Sequence, residues 1–123
     1  MHRPVLEAAS PLIAAVARLV FGTDDLVRVS DALSEWTRAE LGASIDVVEQ
    51  WHWSVGAVAL VRLDDGRPVA LKAFPPRWTE PFLGAVVAVQ RHLADRGLPC
   101  PRPLAGPLPL PLSGAEVCAE ADD

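Results

Sequence analysis

The tetrapeptide Asp64-Asp65-Gly66-Arg67 constrains this chain more than any other feature. An Asp-Gly step between two apolar runs marks a tight reversal, because glycine supplies the positive φ that a short hairpin requires. The flanking runs are residues 57–63, continuous but for Arg62, and residues 68–74. Upstream, Ile45, Val47, Trp51 and Trp53 alternate with Asp46, Gln50, His52 and Ser54, with Glu49 as the exception. That is the period of a half-buried strand. Ser54-Val55-Gly56-Ala57 separates it from the next run. Three consecutive antiparallel strands, a meander, are therefore predicted.

Helical spacing surrounds this β-rich centre. Ser10 suits a cap and Pro11 a first helical position, and Leu12, Ile13, Val16, Leu19 and Val20 follow at helical intervals up to Gly22. A second helix is predicted within residues 24–41, with Leu26, Val29, Leu33, Trp36 and Leu41 as its apolar stripe and Glu35, Arg38 and Glu40 on its wet side. A third runs from Thr79-Glu80-Pro81 to about Arg96, with Phe82, Leu83, Val86, Val87, Gln90 and Leu93 near one side. The prolines of Leu98-Pro99-Cys100-Pro101-Arg102-Pro103 force an extended path. Residues 106–112 read as an apolar strap or an edge strand, and the small, acidic residues 116–123 as a fraying end. The expected class is α+β: an antiparallel sheet with one helix packed on a face, and two amino-terminal helices forming a second layer at the edge. The corresponding division is a helical segment at 1–42, a sheet-based lobe at 43–112 and a flexible acidic tail at 113–123.

Charge and cysteine usage exclude several classes. The formal net charge is -5 and no Lys/Arg cluster interrupts the acidic balance. Nucleic acid is thus not the expected partner, since phosphate neutralisation needs a basic face. Cys100 and Cys118 are expected as free thiols in a reducing cytoplasm. His2, His52 and His92 are scattered, which argues against zinc. The apolar stretch at 11–22 is interrupted by Arg18 and is too short to span a bilayer. Asp24-Asp25 and Asp122-Asp123 read as helix-start and tail charges rather than metal ligands.

Lys72 stands out for chemistry, as a single lysine inside the apolar strand Val69-Ala70-Leu71-Lys72. A rigid strand can hold a cation against nucleotide phosphates. A lysine on a strand edge can also simply discourage strand pairing. Both readings stand on spacing alone. Trp51 and Trp53 share a strand face, which favours core packing over a base-stacking platform, and His52 then faces the other way.

Taken together, Trp53-Ser54-Val55-Gly56-Ala57, an apolar strand, Asp64-Asp65-Gly66-Arg67 and Val69-Ala70-Leu71-Lys72 resemble the first three strands of the aminoglycoside phosphotransferase-like (kinase-like) family. So does the helix end Leu93-Ala94-Asp95-Arg96-Gly97 followed by Leu98-Pro99-Cys100-Pro101-Arg102-Pro103-Leu104. The resemblance covers roughly residues 45 to 104 and implies a kinase-like amino-terminal lobe. It implies that Lys72 contacts ATP phosphate and that the loop Ser54, Val55, Gly56 and Ala57 closes over the phosphates through backbone N–H groups. ATP and Mg²⁺ are the cofactors expected of the full-length family.

Two departures matter. The family's lysine pairs with an acid on the following helix. Here the middle of that helix reads Gly84-Ala85-Val86-Val87-Ala88-Val89-Gln90, where the acid would fall near Val86, so Glu80 near the helix start is the substitute. The His-x-Asp catalytic loop and the metal-binding Asp of the second lobe do not occur in the sequence; His92-Leu93-Ala94-Asp95 has the wrong place and spacing. The expectation is a nucleotide-binding lobe of a small-molecule kinase, inactive alone and completed by a carboxy-terminal lobe. The alternative is a non-catalytic interaction module that docks a partner protein or a second copy of itself.

Overall fold

The computed structural model of the protein describes residues 11–53, 56–75, 80–98, 101–110, 112 and 115–122, without the side chains of Glu80 and Phe82. Ser10, Ser54, Val55, Thr79, Pro99 and Cys100 lie outside the described residues.

Helix α1 spans Pro11–Phe21 and α2 spans Leu26–Leu41. Asp25 caps α2 by accepting hydrogen bonds from the backbone N–H groups of Val27 and Arg28, and Gly42 ends it. Leu26, Val29, Leu33 and Trp36 are buried as the stripe predicts, while Glu35, Arg38 and Glu40 face water. In α1 the buried face is Ala17, Val20 and Phe21, with Leu12 71% and Leu19 52% exposed, so the stripe is rotated from the one expected.

The meander is present as β1 (Ile45–Trp53), β2 (Ala57–Leu63) and β3 (Pro68–Phe74). The turn between β2 and β3 closes when the Gly66 N–H donates to Leu63 O at 2.9 Å and the Leu63 N–H to Arg67 O at 2.9 Å. Arg67 also holds the Asp65 carboxylate, which lowers that carboxyl's pKa from its ordinary value. The irregular position of Glu49 has a physical cause. Register shifts between Ile45 and Val47 and between Val48 and Gln50 bring Val48 into the core and leave Glu49 in solvent.

Helix α3 spans Glu80–Asp95, β4 spans Pro103–Pro109 and β5 spans Glu116–Ala121. The sheet order is β1-β2-β3-β5-β4, all neighbours antiparallel. The expectation for the acidic end is corrected here. Residues 116–121 do not fray but pair on both sides, Leu71 with Ala119 and Ala105 with Ala119. Val117 and Ala119 are buried at alternate positions, which gives the strand its core face. The proline-rich segment forms the outer strand β4, where a missing N–H costs least. It passes through a cis Gly106–Pro107 peptide bond and a register shift between Ala105 and Leu108.

The two amino-terminal helices do not sit at the sheet's edge as expected. Ala17, Val20, Phe21, Val29, Leu33 and Trp36 form one core with Trp51, Val61, Leu71 and Val117, so α1 and α2 cover one sheet face. Trp53 stacks on Trp51 with ring centroids 4.9 Å apart, and Phe21 meets Trp53 edge-on at 6.3 Å. The tryptophan pair is therefore a packing element. The Trp36 Nε1–H donates to Leu108 O at 3.3 Å, tying α2 to β4.

Candidate functional site

Strand alternation sends the side chains of Leu71 and Ala73 into the core and that of Lys72 to the opposite face. On that face the register sets two rows across the strands. One runs His52, Val58, Lys72 and Cys118; the other runs Gln50, Leu60, Ala70 and Glu120. Val58, Leu60 and Ala70 thus form an apolar floor, with His52 and Gln50 exposed on one side and Lys72 and Glu120 on the other. Helix α3 lies over the end of the face formed by β5 and β4. There Leu83, Val87 and Gln90 line a shallow pocket with Lys72, Phe74 and Cys118.

Lys72 is held by an acid. Its Nζ lies 2.9 Å from Glu120 Oε1, with the lysine side chain 37% exposed and the glutamate side chain 7%. The other carboxylate oxygen, Oε2, accepts a 2.7 Å hydrogen bond from Gln90 Nε2, which also donates to Pro101 O at 2.7 Å. Helix α3 and strand β3 therefore converge on one carboxylate of β5, and Gln90 ties it to the segment before β4.

Cys118 lies directly opposite Lys72 and is buried as a free thiol. Burial pushes its pKa up to about 11, and the negative charges of Glu120 and Glu116 add to the effect while Lys72 opposes it. It is protonated at neutral pH and is a poor nucleophile there.

The expected site residues are distributed as follows. Lys72 stands on the open face. Gly56 enters β2 so close to β3 that a Cβ added to it would lie 2.6 Å from Ala73 O, so only a glycine fits that backbone approach. Ala57 is 2% exposed and its side chain lies in the core, on the face away from Lys72, leaving its backbone as the only part near the loop. Ser54 and Val55 fall outside the described residues, as does the Glu80 side chain. The lysine's partner among the described residues is Glu120 of β5, not an acid of the helix. A signal for it existed in the alternation of Val117 and Ala119 with Glu116, Cys118 and Glu120.

Among the described residues no group of three His, Cys, Asp or Glu side chains is placed to hold a metal ion, and no helix is long and apolar enough to cross a membrane.

Comparison with known proteins locates this arrangement. Residues 54–119 match the phosphotransferase enzyme family of the aminoglycoside phosphotransferase (APH) type. No curated protein and no solved structure matches the chain. The matched stretch takes in β2, the lysine strand, α3, β4 and most of β5. With more than half its length matched, the chain belongs to the phosphotransferase enzyme family.

Proposed function

We propose that this chain is the nucleotide-binding lobe of a small-molecule phosphotransferase, with ATP as donor and a hydroxyl-bearing small molecule as acceptor. The observation that carries the reading is a fixed cation beside an apolar floor: Lys72, anchored by Glu120, next to Val58, Leu60 and Ala70. The planar base of a nucleotide would lie on the floor and its phosphates would reach the ammonium group. Mg²⁺ would accompany the phosphates. The tight approach at Gly56 supports a phosphate-covering role for the Ser54–Ala57 connection, since it brings backbone close to the end of β3. The 123 residues hold neither the His-x-Asp loop nor the metal-binding Asp of the family. Phosphotransfer therefore needs a second lobe, and the chain alone is inactive.

Calorimetric titration of the purified chain with Mg-ATP tests the reading. Binding is expected, and Lys72→Ala weakens it about tenfold or more, the worth of a hydrogen bond to a charged group. Equal binding by the two proteins overturns the assignment.

A second reading rests on α3. Val86 is 48% and Val89 60% exposed, an apolar stripe of two side chains nearly one turn apart on that helix. As an interaction module the chain would self-associate through this stripe. Val89→Glu would then convert a dimer to a monomer in sedimentation; a wild-type monomer rules that reading out.

A further inference from the structure

We infer that Glu120 is the positioning residue for Lys72, and that the sheet rather than helix α3 therefore sets the lysine's orientation. The inference rests on the nucleotide reading for its purpose, but its geometry stands apart from it.

Glu120 and Lys72 sit on β5 and β3, which are hydrogen-bonded neighbours with Ala70 opposite Glu120 and Cys118 opposite Lys72. The two charged side chains are thus diagonal partners on one face, within reach of a long side chain. The spacing of their Cα atoms is fixed by the strand ladder and changes only if the sheet itself deforms. The carboxylate is fixed in turn. Oε1 meets Lys72 Nζ, and Oε2 accepts the amide N–H of Gln90. Gln90 also donates to Pro101 O, so it bridges the carboxylate and the segment leading into β4. Lysine carries three N–H donors, so one bond to Glu120 leaves two for an incoming anion.

The role of α3 is accordingly secondary. Among the described residues it contributes a neutral amide, that of Gln90, beside the ion pair. Displacing the helix breaks one hydrogen bond to Glu120 and leaves the ion pair intact. A carboxylate at position 90 would repel Glu120; the amide is the group that lets a helix meet a buried acid. In a site where the acid is on the helix, moving the helix would release the lysine. Here it does not.

Lys72 is the chain's only lysine, so the full chain grown with isotope-labelled lysine gives a single lysine side-chain signal in NMR. In the nucleotide-free protein the two ε-methylene protons are expected to be inequivalent, as for a held side chain. Glu120→Gln should merge them, Glu120→Asp should restore part of the splitting, and Gln90→Ala should leave most of it. Mg-ATP affinity should fall about tenfold in Glu120→Gln and less than about threefold in Gln90→Ala. An unchanged lysine signal in both Glu120 variants overturns the inference, and so does a collapse in Gln90→Ala equal to that in Glu120→Gln. If Glu120→Gln does not fold, Glu120→Asp against Gln90→Ala decides the same point. Should the wild type bind no ATP, the nucleotide reading fails, while the nucleotide-free spectra still decide whether Glu120 positions the lysine.

Discussion

Lys72 and Glu120 meet on the diagonal between two paired strands, Nζ 2.9 Å from Oε1, and the two ends of the pair are unequally wet. The ammonium end is 37% exposed and the carboxylate end 7%. An ion pair with one dry end is not symmetric to mutation.

Lys72→Met should therefore destabilise the fold more than Glu120→Gln. The first leaves a buried carboxylate with Gln90 as its remaining described donor. The second leaves a lysine that can turn to water. For fully buried pairs, stranding one charge costs about 3–5 kcal/mol. The exposure of Lys72 lowers that to about 2 kcal/mol, with about 1 kcal/mol for Glu120→Gln. Urea midpoints at constant m-value measure both.

Cys118 should resist alkylation at neutral pH. In a Cys100→Ser background, iodoacetamide labelling is expected to be slow at pH 8 and to accelerate as pH approaches the raised thiol pKa of about 11. Glu120→Gln removes one of the charges that raise it, so labelling should speed up. The stability sign follows from the order of deprotonation. The unfolded thiol, at its ordinary value of 9.0, loses its proton first as pH rises. The native state's advantage is thus present below pH 9.0 and is lost between there and about 11. Thermal unfolding across that window should decline less steeply in Cys118→Ala.

Two glycines should answer alanine in opposite directions. Gly106 has φ +92°, and a Cβ there would run into Val117 O of the neighbouring strand. Gly106→Ala should cost about 2–4 kcal/mol. Gly84 sits inside α3 with nothing within 4 Å of an added Cβ. Gly84→Ala should stabilise by up to about 1 kcal/mol. Thermal melts of both variants check the contrast.

Phe21→Ala tests whether α1 is integral to the lobe. Its ring is 1% exposed and meets Trp53 edge-on. The loss should be about 3–5 kcal/mol by chemical denaturation. Leu12→Ser, at a position 71% exposed, should change stability by less than about 0.5 kcal/mol.

Local rules made much of this fold readable in advance. The Asp-Gly reversal and the apolar stripe of α2 each depend on a few adjacent residues, and each is found. What escaped depends on distant ones. Glu116–Ala121 alternates, but over too few large apolar residues to announce a strand unaided, and it becomes one because β3 and β4 present unpaired edges to it. Glu120 was hidden for the same reason: 48 positions separate it from Lys72, and only the sheet order brings them together. The face of α1 was misjudged because Leu12 and Leu19 fit a helical period as well as Ala17 and Phe21 do, and only the tryptophans of β1 decide between them.

The placement of β5 has a consequence for synthesis and truncation. The last of this sheet's strands in chain order is its keystone, with β3 on one side and β4 on the other. Until it arrives, the lysine strand has an open flank, the ammonium group lacks its counter-charge, and β4 has no strand beside it. A stop codon near residue 115 would therefore remove the middle of the sheet rather than trim a tail. It would leave the three-stranded meander and a lone β4 whose bare edges invite aggregation.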